Sequence, residues 1–330
     1  ERAVSKLPEL KGVEPRPLNA MGVIGGGTMG AGIATAALLA GLQVVLIEMT
    51  KEAAAAARGR IEGNLKGALK RGKISQDKYD RLTGAALVLS TDYAALSDVD
   101  LVVEAVFESM DVKKDVFGKL DAHCKPGAIL ASNTSYLDVD EIAAATSRPQ
   151  DVLGLHFFSP AHIMKLLEVV VAKKTAPEVL ATGFALGKML KKVAVRSGIC
   201  DGFIGNRIMN AYRKAAEYMV LDGASPYQVD KVVTGFGFPM GPFAMGDLSG
   251  LDINWAARKR RAPTRTRSRS MSSSDRQRVE KVRGARRAKL TAAPGTTDEP
   301  AEPDVGRDAE AAAPASGPND ERMRREVPPH

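Results

Sequence analysis

Two groups of residues in this chain could do chemistry. The first is Gly25-Gly26-Gly27-Thr28-Met29-Gly30, which fits G-x-G-x-x-G, with the carboxylate Glu48 placed 18 residues after Gly30. In such a loop Gly25 permits a tight turn, Gly27 removes a Cβ so that the backbone can approach a pyrophosphate, and Gly30 lets a helix pack close to the strands. The N–H groups at the start of that helix, around Thr28 and Met29, and its partial positive charge would face the phosphates. An acid at the position of Glu48 holds a ribose 2′-hydroxyl and repels a 2′-phosphate, which favours NAD over NADP as cofactor.

The second group is His156 with Glu168. Glu168 sits inside the apolar run 166–171, and a carboxylate there is costly unless it is partnered. His156 ends another apolar run and is the nearest candidate partner. A histidine–carboxylate pair gives a base held in one tautomer, with its cation stabilised. A core histidine beside a surface glutamate on an edge strand is the other reading, and spacing alone leaves both open. Ser132-Asn133-Thr134-Ser135 adds polar groups, although such clusters also make ordinary turns. Glu108 and Lys113 follow the apolar run 101–103 and should lie where a doubly wound sheet opens its ligand crevice.

The elements needed to position these groups are legible in the hydrophobic pattern. Residues 21–25 and 43–47 read as buried strands flanking a small-residue helix over 28–40. The whole stretch 21–47 has no charge and is long enough for a bilayer, but seven of its residues are glycine, each costing about 1 kcal/mol in a helix. Further strands are expected at 87–89, 101–103, 128–131, 152–156, 166–171 and 193–195, with helices over 51–70, 112–123 and 177–190. Lys66, Lys70 and Arg71 form either a solvated helix face or a place for a phosphate-bearing ligand. From 203 to 253 the pattern is helical, with Ser225-Pro226 as N-cap and first helical residue. The expected fold class is α/β: a Rossmann-type dinucleotide-binding domain over 20–200, then a smaller all-α domain over 201–260. Residues 1–19 read as a short helix and linker, and 261–330 as a low-complexity, disordered tail.

Charge supports that division. Residues 1–255 hold 29 Lys and Arg against 28 Asp and Glu, whereas 256–330 hold 18 against 11, so nearly all of the formal +8 lies in the tail. After Trp255 there is no Phe, Tyr, Trp or Ile, too little apolar area to offset ordering entropy. The basic run Arg258 to Arg269 lacks interleaved aromatics, so a specific nucleic-acid partner is not expected. Cys124 and Cys200 have no metal-ligand spacing, and each is expected as a buried reduced thiol. No metal, secretion signal or transmembrane segment is expected.

With these motifs in order, the sequence resembles the L-3-hydroxyacyl-CoA dehydrogenases of fatty-acid β-oxidation, over about residues 18–260. The resemblance rests on the glycine loop with its acid, SNTS at 132–135, GLHFFSP at 154–160, MKLLEVV at 164–170, GFIGNR at 202–207 and GFPMGPFAMGDLSGLD at 237–252. It implies that His156 is the general base, that Glu168 orients it, and that Ser135 and Asn206 hold the substrate oxygen. It implies cofactor contacts from Gly25, Gly27, Thr28, Met29, Gly30, Glu48, Glu108, Lys113, Ser135 and Ser159, the last standing where relatives often carry Asn. Asn64 and Arg71 fall near family positions that contact the CoA moiety of a 3-hydroxyacyl-CoA substrate.

The opening ERAVSKLP looks like the linker that follows the hydratase half of multifunctional β-oxidation proteins, which implies hydratase or thiolase partner domains or subunits. The resemblance stops after NWAARKRR at 254–261, as a frame change or a replaced terminus would cause. A catalytically impaired NAD-binding fragment and a dehydrogenase of free 3-hydroxy acids are the alternative functions. A cytoplasmic location is expected.

Overall fold

The computed structural model describes residues 7–249; the expectations for residues 1–6 and for the tail, including its proposed disorder and frame change, lie outside the described residues. Its centre is an eight-stranded sheet made of β1 (Ala20–Ile24), β2 (Gln43–Ile47), β3 (Leu87–Ser90), β4 (Leu101–Glu104), β5 (Ile129–Ser132), β6 (Val152–Phe157), β7 (Leu166–Val170) and β8 (Val193–Ser197). The spatial order is β3-β2-β1-β4-β5-β6-β7-β8. Every neighbouring pair is parallel except β6 and β7. The order reverses between β1 and β4, which is where an open α/β sheet forms its ligand crevice.

The central strands β1, β4 and β5 are almost wholly apolar and buried because both faces of the sheet are covered there. On one face lie α1 (Thr28–Leu39) and α2 (Lys51–Lys70). Small residues let α1 bury nearly its whole circumference between the sheet and α2. Helix α2 is amphipathic and buries Ala54, Ala57, Ile61, Leu65 and Ala68, the spacing of one helical face. Its N-cap Thr50 accepts from the Ala53 N–H, and α3 (Gln76–Thr83) follows with Ser75 as its cap. Residues 21–47 are therefore strand, helix and strand. Among the described residues no helix is long and apolar enough to cross a membrane.

On the other face α4 (Met110–His123) and α5 (Val139–Ala143) close a second apolar core that includes Phe117, Leu120 and Phe203. Helix α6 (Pro177–Met189) joins the α1 side. The segment before β1 is tied down: Arg16 pairs with Asp151 at 2.7 Å and Glu178 at 3.0 Å, and its backbone N–H donates to Thr182 Oγ1. Cys124 is buried, and burial pushes its thiol up to about 11. Cys200 departs from expectation by being only half-buried.

Helix α7 (Gly205–Leu221) and α8 (Pro226–Gly235) follow β8; Ser225 caps α8 with Pro226 in its first turn, as expected, and Gln228 completes a capping box that was not foreseen. The chain divides into compact units at Pro242/Phe243. The described part of the second unit belongs to α9 (Pro242–Ser249). The regular elements described in the 201–260 region are all helices, α7, α8 and α9.

Candidate active site

The glycine turn is built by backbone constraints. Gly25 has φ +87°, and its N–H donates to Ile47 O at 2.9 Å, joining the end of β1 to β2. A Cβ on Gly30 would lie 1.7 Å from Gly25 O, so only glycine lets α1 begin this close to the turn. A Cβ on Gly26 would strike Ala57 Cβ at 2.2 Å, a third constrained glycine that motif reading left without a role. A Cβ on Gly27 would meet nothing within 4 Å. Its absence is not needed for protein packing, and it leaves the exposed mouth open above the N-terminus of α1. Thr28 and Met29 open that helix, and Gly27 caps it without a side chain. Glu48 lies beside the loop, with Oε1 accepting from Gly26 N–H at 2.6 Å. Open space at Gly27, a helix N-terminus and a carboxylate beside the loop fit a dinucleotide.

Across the switch point, β4, β5 and β6 are bound together at their carboxyl ends. Glu104, fully buried, accepts from Lys113 Nζ at 2.7 Å, Val106 N–H at 2.8 Å and Ser132 Oγ at 2.7 Å. Asn133 N–H donates to Glu104 O, and Asn133 Oδ1 accepts from Phe157 N–H at 2.9 Å, beside His156. Glu108 Oε1 accepts from Thr134 Oγ1 at 2.7 Å and from the N–H groups of Ser135 at 2.9 Å and Tyr136 at 3.1 Å. Its Oε2 lies 3.4 Å from Lys113 Nζ. Lys113 is thus beneath the crevice, turned inward onto Glu104, whereas Glu108 lies at the surface and braces the turn that carries Ser135.

His156 and Glu168 are directly opposed in the antiparallel register of β6 and β7. Nδ1 lies 2.6 Å from Glu168 Oε2. The carboxylate can only accept, so Nδ1 donates and neutral imidazole keeps Nε2 as its acceptor. Glu168 Oε1 takes N–H bonds from Ile204 at 3.0 Å and Gly205 at 2.7 Å, where α7 begins. The edge-strand alternative is removed: β7 lies between β6 and β8, and Glu168 is fully buried. The imidazole packs between Phe158 and Phe203, with ring centroids 4.5 and 5.5 Å away. A Cβ on Gly205 would come within 2.8 Å of Phe158, so this glycine is needed for α7 to reach Glu168.

The remaining residues are distributed around this centre. Asn206 is half-buried in the first turn of α7, and Gly202 is held against it. Ser159 is exposed on the turn after β6. Asn64, on α2, donates to Thr35 Oγ1 of α1 at 3.2 Å. Arg71 ends α2, two turns on. Its charge reaches His162, whose imidazole is held low by burial and by the cations Arg71 and Lys192. Among the described residues no group of three His, Cys, Asp or Glu could hold a metal ion.

A doubly wound sheet with a glycine cradle and an acid at its switch point, and a buried histidine–carboxylate pair in the same sheet, has the architecture of the NAD-binding dehydrogenase class. Residues 20–200 match the 3-hydroxyacyl-CoA dehydrogenase NAD-binding domain, and residues 202–290 match the C-terminal domain of the same family. The chain belongs to the 3-hydroxyacyl-CoA dehydrogenase family.

It is 45% identical over 249 residues to the human peroxisomal bifunctional enzyme, covering 76% of this chain and 34% of that one. It is 41% identical over 255 residues to a glyoxysomal fatty acid beta-oxidation multifunctional protein of Brassica napus, covering 77% and 35%. The chain thus spans about a third of the length of these curated relatives. Among solved structures it is similar to 3-hydroxybutyryl-CoA dehydrogenase of Escherichia coli K12, with 39% identity, a TM-score of 0.70, and coverage of 73% of this chain and 51% of that one. The cytoplasmic expectation is corrected by these relatives, which are peroxisomal and glyoxysomal. Compartment is set by receptor-read address signals and not by the fold, so the site residues carried no information on it.

Proposed function

We propose that this chain catalyses the NAD-dependent, reversible oxidation of an L-3-hydroxyacyl-CoA to the 3-ketoacyl-CoA, as the dehydrogenase part of a multifunctional β-oxidation protein in a peroxisome-type compartment. The observation that carries this reading is the 2.6 Å contact of His156 Nδ1 with Glu168 Oε2, beside a cradle shaped for a dinucleotide. The bound nicotinamide supplies the hydride acceptor. His156 Nε2 takes the proton of the substrate 3-hydroxyl as the carbonyl forms. Glu168 holds the tautomer and stabilises the imidazolium, itself held by two N–H groups at the start of α7.

Ser135 and Asn206 hold the substrate oxygen where charge changes in the transition state. Gly25, Gly27, Thr28, Met29, Gly30 and Glu48 hold the adenosine diphosphate side of the cofactor. Glu108, Lys113, Ser135 and Ser159 serve its nicotinamide side, Lys113 through its charge on Glu108. Asn64 and Arg71 face the CoA moiety. The opening segment and the one-third coverage of bifunctional and multifunctional relatives fit a chain that works beside a hydratase partner.

The test is NADH consumption with acetoacetyl-CoA, followed by absorbance, using the 330-residue chain. Turnover is the expected result. NADH binding without turnover would leave an NAD-binding fragment, and turnover of free acetoacetate with none of its CoA ester would move the substrate class to free 3-hydroxy acids.

A further inference from the structure

The connection between β6 and β7, residues 158–165, closes the hairpin that sets His156 opposite Glu168. Its own backbone bonds are few: the N–H groups of Ile163 and Met164 both donate to Pro160 O at 2.9 Å. Ala161 is fully buried against α1, where a Cβ on Gly32 would lie 3.1 Å from Ala161 Cβ. Two carbonyls of the turn, Ala161 O and Met164 O, converge on one donor. That donor is Lys192 Nζ, 2.6 Å from each.

Lys192 comes from the far side of β7. It directly precedes β8, after Lys191 has turned the chain with φ +56°. The next residue, Val193, donates its N–H to Lys165 O at 2.8 Å, so main chain and side chain grip the same turn. The ammonium also lies 5.4 Å from the ring centroid of Phe157, the neighbour of His156. Burial pushes Lys192 down to about 8. The titratable group its charge reaches is His162 on the same turn, whose imidazole is held low by burial, by Arg71 and by Lys192 itself, and so offers no counter-charge. An ammonium held in a site that opposes its charge, with carbonyls and a ring face as partners, needs a reason beyond solubility.

We propose that Lys192 is a positioning residue for the His156–Glu168 pair: its ammonium bridges Ala161 O and Met164 O, fixes the hairpin turn, and so holds His156 Nδ1 on Glu168. Only the activity readout rests on the proposed role of His156; the geometric readout does not. The bridge bonds to no residue of the glycine cradle, although its turn also carries Ser159, so chemistry should suffer more than cofactor binding.

The experiment uses the full chain and three variants, Lys192→Met, Lys192→Gln and Lys192→Arg. The Nδ1 proton of His156 is followed by NMR as a downfield resonance, assigned by its loss in His156→Gln. The wild type shows this resonance. Lys192→Met broadens or loses it and lowers kcat by about tenfold or more, while NADH affinity falls by a smaller factor than kcat. Lys192→Arg, which can still donate to two carbonyls, restores the resonance and most of kcat.

Should Lys192→Met fail to fold, Lys192→Gln, with one amide donor group, gives the same readouts. A wild type without the resonance overturns the proposal. So does a Lys192→Met or Lys192→Gln protein that keeps both resonance and kcat, even with a lowered melting temperature, because Lys192 would then only staple the turn. An inactive wild type would refute the proposed function, while the resonance would still decide the role of Lys192.

Discussion

His156 Nδ1 and Glu168 Oε2 lie 2.6 Å apart across the one antiparallel strand pair of an otherwise parallel sheet. In a parallel pairing, β7 would have had to be reached by a long crossover; the hairpin reaches it in eight residues, 158–165. Placing the pair in adjacent strands fixes it by backbone register. The two N–H groups of Ile204 and Gly205 then fill the other carboxylate oxygen, so Glu168 can be buried as an anion with its lone pairs occupied.

Replacing His156 by Gln should separate binding from chemistry. Glutamine can donate to Glu168 but cannot carry a proton between substrate and solvent. Turnover should fall by about 10²–10⁴-fold, the usual contribution of a positioned acid–base group. NADH affinity should stay near wild type, because the cradle residues are untouched. Stopped-flow binding and steady-state rates on the same preparation check this, and an unchanged kcat would remove His156 from the mechanism.

Two glycines of the loop should fail in different ways. Gly30→Ala places a methyl 1.7 Å from Gly25 O, where only backbone can give way. It should lower the unfolding midpoint and reduce NADH binding together. Gly27→Ala meets no protein atom within 4 Å. It should therefore leave stability within about 0.5 kcal/mol, as for a surface change, and lose NADH affinity alone. Equal stability losses in the two variants would contradict the separate roles.

The loop and its acid were legible because each requirement is local: a turn, a missing Cβ, a helix start and an acid at fixed spacing. Most strands were legible too, since a sheet covered on both faces needs unbroken apolar runs. Helices α3 and α5 were not singled out, α3 being short and largely polar and α5 only five residues long. The His156–Glu168 contact was left undecided, because spacing does not say which strands lie side by side, and β7 reads as a possible edge until β8 is laid beside it. The brace of Glu104, Lys113 and Ser132 was missed for the same reason. Glu104 reads as the polar end of a strand until β5 is laid beside β4. Lys113 was expected as a cofactor contact; its side chain is buried on Glu104, with Glu108 3.4 Å away.

That brace makes a prediction of its own. Lys113 and Glu104 are both essentially excluded from solvent. Lys113→Met leaves the carboxylate buried without its cation, which should cost about 3–5 kcal/mol. Glu104→Gln combined with Lys113→Met removes both charges and should recover part of that loss. Urea unfolding of the two single variants and the double variant measures the coupling. Additive losses would show that the pair is not a unit.

Asp100 gives a prediction about pH. It joins the start of β1 to the strand beside it: Oδ2 accepts from the N–H groups of Asn19 at 2.7 Å and Ala20 at 3.0 Å, and Oδ1 from Lys125 Nζ at 2.6 Å. Burial opposes its ionisation, but these donors outweigh burial and hold the carboxyl below its ordinary value of 3.8. A folded value below the unfolded one means that the unfolded chain binds the proton first. The stabilisation is then fully present above the unfolded value and is lost as pH falls through the folded one. Asp100→Asn should therefore destabilise the protein by about 1–2 kcal/mol at neutral pH, as for hydrogen bonds to a charged group. The gap should shrink as pH is lowered below about 4 and the wild-type carboxyl itself takes up its proton. Urea midpoints of both proteins across that range check it. A gap that stays constant with pH would show that Asp100 contributes as a neutral hydrogen-bonding group and not through its charge.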